Sequence, residues 1–315
     1  MACGRFWPPT AGPTIDSVPA VETERFFVAA ADGRRLEVIA AGPADGRPVI
    51  QHHGTPGSAH GFWPPHVERA VERGVRLIAY SRQGFAGSDR HSGRAVRDCA
   101  ADAAAIADAI GAERFFTVGG SGGGPHALAC AALLGDRVIA AATVAGAAPF
   151  DAEGLDWLEG MGEENHQEIG AAVEGPEKLE EFLAAWEPQL RQVRGPDLLE
   201  ALGDLVSGAD AAVLTGEYAE FAAGGMRNSM SGGTAGWFDD DLAFIGDWGF
   251  DPASIAVPVT VWQGLDDRFV PAGHGRWLAA HVAGADARLL DGQGHLSLAL
   301  GRYGEILDSL LAAEG

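Results

Sequence analysis

Apolar residues recur along this chain at two spacings, and the change from one to the other divides it. From Arg25 to Ala41 they alternate with polar residues on either side of Asp32-Gly33, which predicts two short strands around a turn. Pro48 to His52 is a short apolar run that leads into a glycine-rich loop, and Val75 to Tyr80 and Phe115 to Val118 are runs of the same kind. Each predicts a buried strand. Arg97 to Ile110 instead carries apolar residues at helical spacing and stops at Gly111, a second helix is predicted from Pro125 to Leu134, and a strand follows from Val138 to Val144. Strands that alternate with helices predict a mostly parallel sheet flanked by helices.

Between 150 and 247 the pattern becomes helical throughout. Leu158, Leu179, Phe182, Leu183, Leu190, Leu199, Leu202 and Leu205 recur at helical intervals, which predicts a helical cap with flexible points at Gly224-Gly225 and Gly232-Gly233. The strand pattern returns at Val257 to Trp262. After it come a helix at Arg276 to His281, a short strand at Arg288 to Leu290 and a final helix from Leu296 to Leu311. The predicted division is therefore an arm at 1–24, an α/β core made of 25–149 and 248–315, and an inserted helical cap at 150–247. The arm is proline-rich and has no continuous apolar segment of the kind a secretory signal needs.

Composition narrows the classes of partner. The formal net charge of −22 argues against nucleic acid and anionic membrane surfaces, because binding phosphate requires clustered Lys and Arg. Small neutral or cationic molecules remain. No apolar run approaches the length that crosses a bilayer, so a soluble protein is expected. Cys3, Cys99 and Cys130 are odd in number and lack the pairing of a metal site, which suits a reducing cytoplasm. Neither a metal nor a cofactor is predicted, and the oligomeric state is not fixed by the sequence.

The strongest chemical signal is Gly119-Gly120-Ser121-Gly122-Gly123, set between a predicted strand and a predicted helix. A serine in so sharp a turn needs small neighbours on both sides so that strand and helix can approach, and the helix then points its positive end at the site. A phosphate-binding loop fits poorly, since neither a Lys-Ser/Thr pair nor G-x-G-x-x-G spacing with a later ribose-binding acid is present. A serine hydroxyl is a weak nucleophile unless a histidine removes its proton and a carboxylate orients that histidine. Downstream, Gly264-Leu265-Asp266-Asp267-Arg268-Phe269-Val270-Pro271 follows one predicted strand and Gly294-His295 follows the next. Both partners are available, with Asp266 and Asp267 as alternatives for the acid.

With these motifs the chain resembles the α/β-hydrolase superfamily from about Arg25 to the end, most loosely through the cap, and within it the esterase and proline iminopeptidase-like branch. The resemblance implies a Ser-His-acid triad of Ser121, His295 and Asp267, the acid being the third residue after the strand-end glycine. His52-His53-Gly54-Thr55-Pro56-Gly57-Ser58 resembles the family's HG-x-P-G loop, which implies oxyanion donors at Thr55 and Gly122; Pro56 has no amide hydrogen to give. His53 is expected to brace backbone. Arg82-Gln83-Gly84-Phe85-Ala86-Gly87-Ser88-Asp89 resembles the family's R-G-x-G-x-S segment with Gln83 inserted, an architectural element in which Phe85 is a candidate substrate contact. In the cap, Trp157, Trp186 and Trp237 are candidate substrate contacts, and Met161, Phe221, Met226 and Phe238 could join them in an apolar roof. Glu163 and Glu164 could bind an amine.

The expected activity is hydrolysis of a carboxylic ester of a small substrate through an acyl-enzyme. Alternatives are an aminopeptidase or amidase of the proline iminopeptidase type, or a nonhydrolytic lyase, acyltransferase or perhydrolase on the same scaffold. A binding or sensor protein is disfavoured because it need not keep nucleophile, base, acid and oxyanion loop together.

Overall fold

The computed structural model describes residues 23–314. The predicted arm, Cys3 included, lies outside the described residues except for Thr23 and Glu24, which open the first strand rather than close an arm. The eight strands are β1 (Thr23–Ala29), β2 (Arg35–Ala41), β3 (Arg47–His52), β4 (Val75–Tyr80), β5 (Phe115–Gly120), β6 (Val138–Val144), β7 (Val259–Gly264) and β8 (Asp286–Leu290). They form one sheet in the order β1-β2-β4-β3-β5-β6-β7-β8. β1 and β2 pair antiparallel, β2 meets β4 antiparallel, and every later neighbour is parallel. The central strands are apolar on both faces because helices cover both, and β5 accordingly buries Phe115, Phe116 and Val118.

On one face lie α2 (Cys99–Ala109), α3 (Gly123–Leu133) and α10 (Ala272–His281), with Ile106, Leu128 and Leu278 fully buried against the sheet. On the other lie α1 (Pro64–Val71) and α12 (Tyr303–Leu311), contributing Val67, Ala70, Ile306, Leu307 and Leu310. Burial of each such large apolar side chain contributes roughly 1.5–3 kcal/mol. α1 was not among the predicted elements, although Pro64-Pro65 at its start and the buried pair Val67 and Ala70 three residues apart are its signature. The predicted final helix is two. α11 (His295–Gly301) ends at Arg302, which leaves helical geometry at φ −110° and ψ 9°. α12 then begins at Tyr303, which stacks on His66 with ring centroids 3.8 Å apart.

Between β6 and β7 the chain forms a helical insertion: α4 (Glu163–Glu174), α5 (Pro176–Leu190), α6 (Leu198–Ala201), α7 (Gly208–Val213), α8 (Gly216–Ser229) and α9 (Ala235–Ile245). Its own apolar clusters gather Leu179, Leu183, Met230 and Trp237 in one place and Leu198, Leu214 and Ala223 in another. Gly224-Gly225 sits inside α8, where a Cβ on Gly224 would come within 2.8 Å of His60 Nε2. Gly232-Gly233 does fall at the junction of α8 and α9. Among the described residues no helix is long and apolar enough to cross a membrane.

Candidate active site

The carboxyl ends of the parallel strands share one edge of the sheet, and the segments that leave β3, β5, β7 and β8 carry the predicted chemistry. At the end of β5 the backbone turns so tightly that Ser121 adopts φ +53°, in the left-handed region that a side chain normally avoids. The turn is held by Ser121 N–H donating to Val144 O (2.9 Å) and Gly124 N–H donating to Ser121 O (2.8 Å). Flanking glycines are required by space: a Cβ on Gly119 would lie 1.9 Å from Gly123 O, and one on Gly123 would lie 2.1 Å from His52 O. The result is a serine presented above the sheet at the start of α3.

His295 opens α11, and its Nδ1 donates to Asp267 Oδ2 at 2.8 Å, both residues being buried. The other oxygen, Asp267 Oδ1, accepts from the amides of Phe269 and Val270 at 2.9 Å each, which fixes the carboxylate toward His295. Asp266 is exposed, so the structure separates the two neighbouring acids. Burial disfavours the charged imidazolium of His295, but the Asp267 carboxylate and its hydrogen bond outweigh that, with a further contribution from Asp210, and the pKa is raised above its ordinary 6.5. Phe269 stacks on the imidazole at 4.7 Å between centroids. Ser121 and His295 line the same cavity.

The loop after β3 brings Thr55 beside Gly122. A Cβ on Gly122 would lie 2.5 Å from Thr55 Oγ1, so only glycine permits this approach. Among the described residues neither the Thr55 nor the Gly122 amide donates a hydrogen bond to a backbone carbonyl outside the regular elements, and neither residue lies within one. His53 braces the loop as expected, its Nδ1 donating to Gly54 O (2.7 Å) and its Nε2 accepting from the Arg82 amide (3.0 Å). Burial, then the charge of Arg82, pushes the His53 pKa well below its ordinary value, so it stays neutral.

Arg82 does more than the sequence implied. Its fully buried guanidinium donates to His53 O, to Gly54 O (3.1 Å) and to Thr55 Oγ1 (2.9 Å), and it pairs with Asp240 Oδ2 at 2.5 Å. Asp240, from α9, also pairs with Arg94 at 2.6 Å and accepts from the Thr55 hydroxyl at 2.6 Å. Burial favours protonating Asp240, yet the two guanidinium groups prevail and hold its pKa well below the usual carboxylate range. An ionised carboxylate from the insertion thus fastens the loop beneath Ser121. The only sequence signal for it is the run Asp239-Asp240-Asp241 amid Trp237, Phe238, Leu242 and Phe244, an odd place for three acids, all of them buried.

The cavity has a main chamber of about 330 Å³ and a smaller one of about 80 Å³, both reached by Ser121. Trp186 and Trp237 line the main chamber, together with Phe182, Leu190 and Met226; Trp157 and Met161 line the smaller one beside Gly122. Phe85 lines neither: it is fully buried, edge-on to His53 at 5.0 Å and against Gly236, so its predicted substrate contact is corrected to a packing role. Phe221 packs on Trp63, and Arg90 lies over Phe238, outside both chambers. Of the two acids expected to meet an amine, Glu164 reaches the main chamber and Glu163 does not. Glu168 borders both chambers and accepts from Trp237 Nε1 at 2.6 Å. Burial lifts its pKa to about 6, and burial together with the like charge of Glu168 and Asp240 lifts that of adjoining Asp241 well above the usual carboxylate range. Among the described residues no group of three or more His, Cys, Asp or Glu is placed to hold a metal ion.

The α/β-hydrolase fold family model matches residues 47–301. A non-heme haloperoxidase from Rhodococcus erythropolis is 36% identical over 124 residues, which cover 39% of this chain and 44% of that protein. The alignment therefore spans less than half of the relative's length. Among solved structures, an α/β-hydrolase fold protein from Nakamurella multipartita superposes with a TM-score of 0.62 at 25% identity, covering 93% of this chain and all of the other (100%). An esterase from Rhodococcus sp. superposes with a TM-score of 0.63 at 20% identity, covering 92% of this chain and 99% of the other, and at that identity shows the shared fold.

Proposed function

The chain belongs to the α/β-hydrolase fold family, and from that premise we propose that it hydrolyses a carboxylic ester through Ser121, His295 and Asp267. The observation that carries this reading is the buried His295–Asp267 pair, 2.8 Å apart, on the same cavity as a serine held at φ +53°. His295 Nε2 takes the Ser121 proton, and the alkoxide attacks the ester carbonyl carbon. The Thr55 and Gly122 amides receive the charge that develops on the carbonyl oxygen, while Asp267 stabilises the imidazolium. Collapse of the tetrahedral intermediate expels the alcohol, protonated by His295. Water activated by the same imidazole then attacks the acyl-enzyme, releasing the acid and restoring Ser121. The apolar lining of the main chamber suits an apolar arm of the ester.

Turnover of p-nitrophenyl esters of increasing chain length, beside amino-acid p-nitroanilides, by the wild type and by Ser121→Ala tests the proposal. Ester cleavage that disappears in the variant is expected. Cleavage confined to the anilides would move the reading to an aminopeptidase, and full ester turnover by Ser121→Ala would overturn it. The haloperoxidase named among the relatives makes peroxide a second acyl acceptor to include: peracid formed in place of acid would identify transfer from the same acyl-enzyme to peroxide.

A further inference from the structure

His295 is held by more than Asp267. Asp210, on α7 of the insertion, is fully buried, and its carboxylate faces the start of α11. Its Oδ2 accepts from the His295 amide (3.0 Å) and its Oδ1 accepts from the amides of Leu296 and Ser297 (2.8 Å each). These are the free donors of a helix N-terminus, where a negative charge is favourable. The Ser207 hydroxyl donates to Asp210 Oδ2 at 2.9 Å and completes its shell. Leu296 also packs into the insertion's apolar cluster with Leu198 and Leu214.

A second observation shows that the backbone is cut to admit this carboxylate. Gly294 has φ −97°, which any residue can adopt, so conformational freedom does not explain it. Space does: a Cβ there would lie 2.2 Å from Ser207 Oγ and 2.3 Å from Asp210 Oδ2. The glycine before His295 is therefore the seat of the Ser207–Asp210 pair.

We propose that Asp210 is a positioning residue for His295, so that docking of the helical insertion on the core and alignment of the base are one event. The inference rests on the reading of His295 as that base. Asp210 reaches the substrate's chemistry only through the backbone of His295 and through its charge. The charged and titratable groups facing His295 are Asp267 from the segment after β7 and Asp210 from α7, with Glu164 and Glu168 of α4 on the shared cavity.

The test measures kcat, KM and the pH profile of kcat/KM for a p-nitrophenyl ester in the wild type, Asp210→Asn, Asp210→Glu and Gly294→Ala, with thermal unfolding of each. Asn keeps one acceptor oxygen but loses the charge, so Asp210→Asn is expected to lower kcat about tenfold or more while KM stays within about twofold. The acid limb of its profile moves down by about half a unit, because a negative charge near the imidazole is gone. Gly294→Ala, whose Cβ would push the Asp210 carboxylate away from His295, is expected to move kcat and the limb in the same directions, and it serves as well if Asp210→Asn does not fold; Asp210→Glu recovers part of the loss. Unchanged kcat and limb in the variants, or a kcat loss with the limb unmoved, would overturn the positioning role. His295→Ala separates the two ideas: if it retains turnover, the reading of His295 as the base fails first.

Discussion

Replacing Asp240 with asparagine removes the carboxylate that, among the described residues, pairs with both Arg82 and Arg94, at 2.5 and 2.6 Å, where all three side chains are at most 1% exposed. Two guanidinium groups then remain buried without a counter-charge, beside His126, whose Nε2 is 3.8 Å from Asp240. Breaking a buried pair by removing one partner costs about 3–5 kcal/mol, since the partner left behind stays desolvated. At roughly 2 °C per kcal/mol for a chain of this size, the melting temperature should fall by roughly 6–10 °C. A catalytic loss should accompany it. The Arg82 guanidinium holds the carbonyls of His53 and Gly54 and the hydroxyl of Thr55, and the Thr55 hydroxyl itself donates to Asp240. Loosening that loop displaces one of the two proposed oxyanion donors, which should lower kcat roughly tenfold to hundredfold, short of the full loss of a donor. Calorimetry and ester kinetics at a temperature where the variant is folded read both effects. A melting point within about 2 °C of the wild type with kcat within about twofold would refute the reasoning. A lowered melting point with unchanged kcat would refute the link between the ion pair and the loop.

Two further outcomes follow from the same geometry. Because the His295 pKa is raised above 6.5 and its neutral form is the base, kcat/KM should fall as pH drops through a value above 6.5. Glu168, which burial lifts to about 6, borders the same cavity, so a pH profile of Glu168→Gln with its acid limb unmoved checks that the limb belongs to His295. Trp186 lines the main chamber, and Trp186→Ala should shift the preferred p-nitrophenyl ester toward longer chains, read as the ratio of kcat/KM values across the series, with the Ser121-dependent reaction itself retained.

The core was legible because its signals are local. The short apolar runs Pro48 to His52, Phe115 to Val118 and Val257 to Trp262 predict β3, β5 and β7, and Gly119 to Gly123 marks a turn whose need for small residues is a matter of contact distances, here to Gly123 and to His52. Asp267 could be told from Asp266 only by resemblance, and burial of the first beside exposure of the second supplies the physical reason. What escaped the sequence are contacts made across long separations. Asp240 stands 158 residues from Arg82, and Asp210 stands 85 from His295; nothing in the spacing of an acid on a helix tells whether it faces solvent or a buried guanidinium. Phe85 was misplaced for the same reason, since its fate depends on Gly236 opposite. The division of the last helix at Arg302 depends on Tyr303 stacking over His66, again a tertiary contact.

The central claim is that Ser121 is a nucleophile activated by His295. Its most direct measurement is covalent labelling of the folded protein by a fluorophosphonate, with the modified residue located by mass spectrometry in the wild type and in His295→Ala. The account predicts a single phosphonyl adduct on the peptide that carries Ser121, formed rapidly in the wild type and lost in the variant. Absence of label at Ser121 in the folded wild type, or equal labelling of the two proteins, would contradict it.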